Sequence, residues 1–289
     1  MSEIADHSRH PGQPSYTAMP PAAPPPLTPA ALQRCLRAAV FGHRIFYYPV
    51  VGSTNDRALE LSAAGEPEGS LVLAERQTAG RGRRERTWAS AERLGIYASL
   101  VLRPACPAAR APLFTFMAAV AVADAVREVC RLPAGIKWPN DVLVGGGKIA
   151  GVLGEIRGGE AQIRDMVIGL GINVAQRHED FPGDLLRPAT SVRIEGGASQ
   201  DRAAILACVL EGFERRYART LKDGTADLLR EWEALSVMPR GQRVLVGGPD
   251  GRREATIAGV DDDGALLLEG PNGAPSRLPF GEQVEPIAG

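Results

Sequence analysis

Between two apolar stretches the chain reads Glu75-Arg76-Gln77-Thr78-Ala79-Gly80-Arg81-Gly82-Arg83-Arg84-Glu85-Arg86-Thr87-Trp88. Five arginines fall within residues 76–86, broken by two glycines. A guanidinium grips phosphate or carboxylate with paired N–H donors. Glycine lets backbone amides approach an anion closely. Such a loop suits closure over a phosphorylated intermediate. Most charge runs are only solvated surface, but this one follows the apolar run Leu71-Val72-Leu73 and ends at a Trp. It is not a dinucleotide or kinase-type glycine loop, because Gly80-x-Gly82-x-x would need a third Gly where Glu85 stands.

A second segment runs Ile136-Lys137-Trp138-Pro139-Asn140-Asp141, then Gly145-Gly146-Gly147-Lys148-Ile149-Ala150-Gly151. Gly147-Lys148 is no P-loop: Val142 occupies the place of the leading Gly and Ile149 that of the required Ser or Thr. What remains is an apolar hairpin with two Lys, an Asn and an Asp. Lysine is scarce here. Of 33 basic residues only Lys137, Lys148 and Lys222 are lysines. A chain so biased toward Arg keeps Lys where a compact ammonium is needed, which favours Lys148 as a point charge on developing negative charge. Lys137 is read as structural. Two weaker signals are Gly169-Leu170-Gly171-Ile172-Asn173, where glycines in a strand mark close approach of a ligand or backbone, and Ser53-Thr54-Asn55 at a helix start, where free amides face outward.

These residues need a framework. The chain has 289 residues, 44% apolar and 23% charged, with a formal net charge of −1. That is long enough for a sizeable core and one large domain or two unequal ones. No global basic field exists to gather nucleic acid or anionic membrane, and no run is long enough to span a bilayer. The four cysteines and four histidines are scattered, so free thiols in a reducing cytoplasm are expected and a His or Cys metal site is not.

Residues 1–27 are expected to be a disordered Pro-rich tail. Thr28 and Pro29 open a helix carrying Leu32, Leu36 and Val40. Arg44–Tyr48, Leu71–Leu73 and Ile96–Leu102 read as strands, and Ser53 caps a helix between the first two. Leu113–Val129 is a buried helix. Ile136–Val144, Ile149–Ile156 and Ile163–Val174 read as three more strands. Asp201 caps an amphipathic helix through Tyr217, and Ala226–Leu235 is the last helix. After Ser236 short strands with tight turns predict a small barrel over 237–289, leaving 28–236 as the catalytic unit.

Taken in order, the segments resemble the biotin–protein ligases: Gly52-Ser53-Thr54-Asn55, Gln77-x-x-Gly80-Arg81-Gly82-Arg83-Arg84 with Trp88, Lys137-Trp138-Pro139-Asn140-Asp141, Lys148-Ile149-Ala150-Gly151, and Gly169-x-Gly171-Ile172-Asn173. The resemblance covers about residues 40–289. It implies an α+β fold of the class II aminoacyl-tRNA synthetase and biotin ligase kind, a mixed, mostly antiparallel sheet with flanking helices, plus an SH3-like C-terminal barrel. It implies activation of biotin by ATP to biotinyl-adenylate, then transfer to a lysine of a biotin carboxyl carrier domain. Lipoate–protein ligase or octanoyltransferase, and a biotin sensor without turnover, are the alternatives.

The resemblance also assigns roles. Ser53, Thr54, Asn55, Gln77, Arg81, Gly82, Arg83 and Lys148 would surround biotin or its adenylate, with Lys148 and Arg83 catalytic. Arg83, Arg84, Arg86, Trp88, Asn140 and Asn173 would meet ATP or the adenylate. Asp141 would stand at Mg²⁺. The family's loop usually has Gly at the place of Glu85. The barrel of relatives often lends a basic residue to ATP, yet Phe280–Pro286 offers no Arg. Too few residues precede the catalytic start for the winged-helix domain of the repressor relatives, so sequence-specific DNA binding is not expected. No membrane partner is expected, and sheet edges leave a homodimer open.

Overall fold

The computed structural model describes residues 24–158, 161–183, 185, 187–248, 251–270, 275–280 and 282–287. The expected tail therefore lies mostly outside the described residues. Among those described, two sheets form. The larger has seven strands in the order β1 (Ile45–Val51), β2 (Leu71–Gln77), β3 (Gly95–Leu102), β7 (Ile163–Asn173), β6 (Gly147–Gly158), β5 (Asp141–Val144) and β4 (Gly135–Lys137). Only β1 and β2 pair in parallel. Every other neighbour is antiparallel. The mixed, mostly antiparallel sheet matches the expected fold class.

Two layers of helix cover the sheet. On one face α3 (Ala111–Cys130) and α4 (Arg202–Asp223) pack with α1 (Pro29–Cys35) and α5 (Ala226–Leu235). The apolar run of α3 is buried nearly throughout, from Leu113 to Cys130. This is why its sequence is hydrophobic on all sides. On the other face α2 (Thr54–Ala63) sets Ala58 and Leu61 on Val72, Val101 and Val167. Period-two alternation then fixes which residues share that face. Ser99 on β3, Gly169 and Gly171 on β7, and Gly151 and Glu155 on β6 lie on the α2 side, opposite Leu100, Leu170 and Val152 in the main core.

Two expectations need correction. The first helix stops at Cys35, not at Val40, which is half exposed. Carboxylates of α4 win the backbone there: Glu211 accepts from Arg37 N at 2.8 Å, and Glu214 accepts from Ala39, Val40 and Phe41 N at 2.7–2.9 Å. Amides bonded so strongly to a charged acceptor gain nothing from a helical partner. Ile136–Val144 is not one strand. It folds back at Trp138-Pro139-Asn140, a turn with a cis Trp138–Pro139 bond, so that Lys137 pairs in register with Asp141.

The C-terminal segment makes a five-stranded antiparallel sheet, in the order β11 (Ser276–Leu278), β10 (Leu266–Leu268), β9 (Gly251–Val260), β8 (Arg243–Gly248) and β12 (Val284–Pro286). It is docked by aromatic contacts. Phe280, which follows β11, meets Phe116 of α3 and Trp138 of the β4–β5 turn at about 6 Å, while Phe116 is itself backed by Trp232 of α5, stacked at 4.7 Å. Each such pair adds roughly 0.5–1.5 kcal/mol beyond area burial. The Trp138 indole also donates to Gly264 O at 3.1 Å. Phe280 and Glu282 are thereby brought beside the Arg-rich loop.

Candidate active site

The site grows from the N-terminus of α2. Ser53 caps the helix, its hydroxyl accepting from Asp56 N. Thr54 donates both N–H and hydroxyl to Gln77 Oε1, at 2.8 and 3.0 Å, and Gln77 Nε2 donates to Ser90 Oγ at 3.0 Å. The Ser99 hydroxyl lies 2.8 Å from Thr54 Oγ1 and 2.6 Å from Asn55 Oδ1. Asn55 Nδ2 donates to Glu155 Oε2 at 2.6 Å. Arg81 reaches the same oxygen at 2.8 Å and Asp56 at 2.6 Å. A connected polar network thus floors the α2 face of the sheet. Ser53, Thr54, Asn55 and Ser99 are all buried. Buried polar groups of this kind keep partners or lose stability, so a ligand entering here must replace bonds in kind.

Glycines clear space above the sheet. A Cβ on Gly171 would lie 2.4 Å from Trp88 Cε2, and one on Gly151 would lie 3.0 Å from Trp88 Cζ3. A Cβ on Gly169 would overlap the Asn55 amide. The indole of Trp88 therefore lies flat on two neighbouring strands, where Gly151 and Gly171 pair. Its Nε1–H is buried without a partner among the described residues. Lys148 Nζ stands 5.4 Å from the same ring and 2.5 Å from Asp141 Oδ1.

The Arg-rich loop joins β2 to β3 and closes on itself through an Arg81–Thr87 bridge. β5 covers β6 only as far as Gly151, and the loop crosses the strand beyond that point. Arg83 donates to Asn140 Oδ1 at 3.1 Å and lies 5.2 Å from the Phe280 ring. Burial lowers its pKa, against the pull of Asp141. Arg84 turns to Glu282 at 3.5 Å. Arg84 and Glu85 both hold positive φ, 55° and 60°. Loop and strand enclose a cleft of about 680 Å³, lined by Asp56, residues 79–87, Val152–Glu155, Thr115 and Phe280.

The structure brings most of the expected residues together. Ser53, Thr54, Asn55, Gln77 and Arg81 share one network. Gly82 and Arg83 line the cleft, while Lys148, Asp141 and Trp88 form a second cluster with Asn140 beside it. Asn173 is buried and engaged, donating to Lys148 O at 3.4 Å and accepting from Gln176 Nε2 at 3.1 Å, so it holds the Lys148 strand. Arg84 and Arg86 are exposed and stand among the residues that line the cleft. Sequence reasoning missed Ser99, Ser90 and Glu155. The alternation of Ile96, Ala98 and Leu100 already sends Ser99 to the other face, but nothing local said that α2 would cover it. It also missed that Lys137 is an ion-pair member: its Nζ meets Glu285 of β12 at 2.9 Å.

Among the described residues no group of three His, Cys, Asp or Glu could hold a metal alone. Asp141 with Asn140 beside it fits a magnesium ion carried mainly by phosphates, since that ion needs only one or two protein carboxylates. No helix among the described residues is long and apolar enough to cross a membrane.

Comparison with known proteins agrees with this arrangement. Residues 47–173 match the biotin/lipoate A/B protein ligase family, and residues 241–289 match the biotin protein ligase C-terminal domain. The chain is 38% identical over 246 residues to the bifunctional ligase/repressor BirA of Bacillus subtilis, covering 85% of this chain and 75% of that one. It is 37% identical to a biotin–[acetyl-CoA-carboxylase] ligase of Paracoccus denitrificans, covering 76% of this chain and 92% of that one. Among solved structures, the biotin protein ligase of Aquifex aeolicus in complex with biotin and ATP superposes with a TM-score of 0.71 at 27% identity, covering 85% of this chain and all of that one. The chain belongs to the biotin protein ligase family.

Proposed function

We propose that the α2 face of the sheet beneath the Arg-rich loop, beside that cleft, activates biotin with ATP, and that residues 28–236 form the catalytic unit with 237–289 docked against it. The observation that carries this is the meeting of two clusters on one sheet face: a neutral hydrogen-bonding network at Thr54, Gln77 and Ser99, and the Lys148–Asp141 pair against Trp88. The first suits an uncharged cyclic urea, whose donors and acceptors must all be met once water is excluded. Trp88 on its glycine floor supplies the apolar wall, and its buried N–H, unpaired among the described residues, a donor. The second suits the carboxylate end.

In the first step a biotin carboxylate oxygen attacks the α-phosphorus of ATP. The bond from that phosphorus to the β-phosphate oxygen breaks, and pyrophosphate leaves with the electron pair. Lys148 neutralises the charge growing on the carboxylate–phosphate centre, as a positioned ammonium does best where charge develops. Asp141 holds Lys148 in place. With Asn140 it would also hold a phosphate-borne Mg²⁺, which would screen the phosphates. Arg81 and Arg83 cover the anhydride and keep water out; Arg83, Arg84 and Arg86 give the loop its attraction for the nucleotide. In the second step the amine of an acceptor lysine attacks the acyl carbon, the bond to AMP breaks, and the nitrogen loses a proton. The acceptor is a biotin carboxyl carrier domain. The four cysteines stand free, in keeping with a cytoplasmic enzyme.

Pyrophosphate release with ATP and Mg²⁺ tests the reading. Release that depends on biotin and not on lipoate supports it. Release with lipoate alone assigns the site to lipoate, and biotin binding without release makes the protein a sensor.

A further inference from the structure

The Lys148–Asp141 pair belongs to a larger group. Lys137 lies across the β4–β5 hairpin from Asp141. Its side chain is only 5% exposed, and Glu285 Oε2 of β12 lies 2.9 Å from its Nζ. Arg187 pairs with the other oxygen of the same carboxylate. Arg187 is placed by its neighbour Pro188, whose carbonyl accepts from Lys148 N–H at 2.9 Å, and by the bridge between Lys148 and Ala189. Arg83 reaches Asn140, next to Asp141. The fields of Arg86, Arg187, Lys148 and Asp141 all act on Lys137. Five cations thus face two carboxylates, Asp141 and Glu285. Cations gather against their own repulsion where an anion is to be held.

The two sides of the Lys137–Glu285 pair differ in freedom. Lys137 is fixed inside the hairpin, whereas the Glu285 side chain is 39% exposed on an edge strand of the C-terminal sheet. The carboxylate can leave and the ammonium cannot. On the ligase reading given above, we propose that Lys137 and Arg187 bind the pyrophosphate end of the nucleotide, and that Glu285 is a displaceable internal competitor that occupies them until the nucleotide arrives. The competitor lowers apparent nucleotide affinity by the fraction of time it holds the site. It also ties the position of the C-terminal sheet to nucleotide occupancy.

The test is calorimetric titration of the whole chain with inorganic pyrophosphate, which needs no turnover. Glu285→Gln is expected to bind about tenfold more tightly than the wild type, and Arg187→Gln about tenfold more weakly. Biotin affinity should stay the same in both, which shows that the fold is kept. Pyrophosphate affinity unchanged or weakened in Glu285→Gln would overturn the proposal and leave Glu285 a structural clamp. Affinity unchanged in Arg187→Gln would remove Arg187 from the site. Absence of biotin-dependent turnover in the wild type would sink the ligase reading alone, because the pyrophosphate contrast is read without it.

Discussion

Gly171→Ala is expected to damage biotin use out of proportion to its size. The new Cβ would lie 2.4 Å from Trp88 Cε2 and 2.8 Å from Cζ2 and Nε1. Carbon atoms in contact prefer about 3.5–4.0 Å, so the indole must retreat by roughly 1 Å. It cannot move as a unit, because Trp88 N donates to Gly80 O at 2.9 Å. The ring must pivot into the space above the sheet. Overpacking of this kind costs about 1–3 kcal/mol, or roughly 5- to 150-fold in affinity. Steady-state pyrophosphate release with biotin varied should show that rise in KM, with kcat changed far less, since a wall lost equally to substrate and transition state weakens binding alone. Two neighbours calibrate the effect. Gly151→Ala meets Trp88 at 3.0 Å and Lys148 Cε and Nζ at 3.1 and 3.2 Å, contacts short by only a few tenths of an ångström, so a change in KM below about fivefold is expected. Gly52→Ala meets nothing within 4 Å and should behave as wild type. Adding Trp88→Phe to Gly171→Ala should recover part of the loss, with a coupling energy of about 1 kcal/mol or more. A folded Gly171→Ala protein with the KM of Gly52→Ala would refute the placement of biotin against Trp88.

Three further outcomes are expected. Lys148→Ala should slow pyrophosphate release by about 10²–10³-fold while biotin affinity, read by calorimetry, changes little; near-normal release would remove Lys148 from the chemistry. Glu85→Gly should stabilise the protein by about 0.5–1 kcal/mol in urea titration, because Glu85 sits at φ 60°, where a side chain is strained; a loss of stability would contradict the loop geometry. Glu75→Ala should destabilise by about 3–5 kcal/mol, because it leaves Arg202, 3% exposed and paired at 2.7 Å, alone in the core; a shift below about 1 kcal/mol would mean that the pair is solvated.

The segments that carry chemistry were legible because glycine, lysine and arginine are informative where they are rare or crowded. Lys148 stood out against 33 basic residues, and its pairing with Asp141 follows from the hairpin that the Gly-rich turn requires. The faces of β3, β6 and β7 were legible from alternation. Contacts across long separations were not. Glu285 reaches Lys137 over 148 positions, and no local pattern marks a carboxylate in a short strand as a partner for a buried ammonium. The early end of the first helix was hidden for the same reason, since Glu214 lies more than 170 residues from the amides it takes. Glu85 was visible as a departure from the family's loop, but its left-handed backbone was not.

The most direct test of the account is intact-mass analysis of a biotin carboxyl carrier domain incubated with this protein, biotin and Mg-ATP. The account predicts a gain of one biotin per carrier, dependent on ATP, and lost in Lys148→Ala. An unmodified carrier, with no release of pyrophosphate, would contradict it.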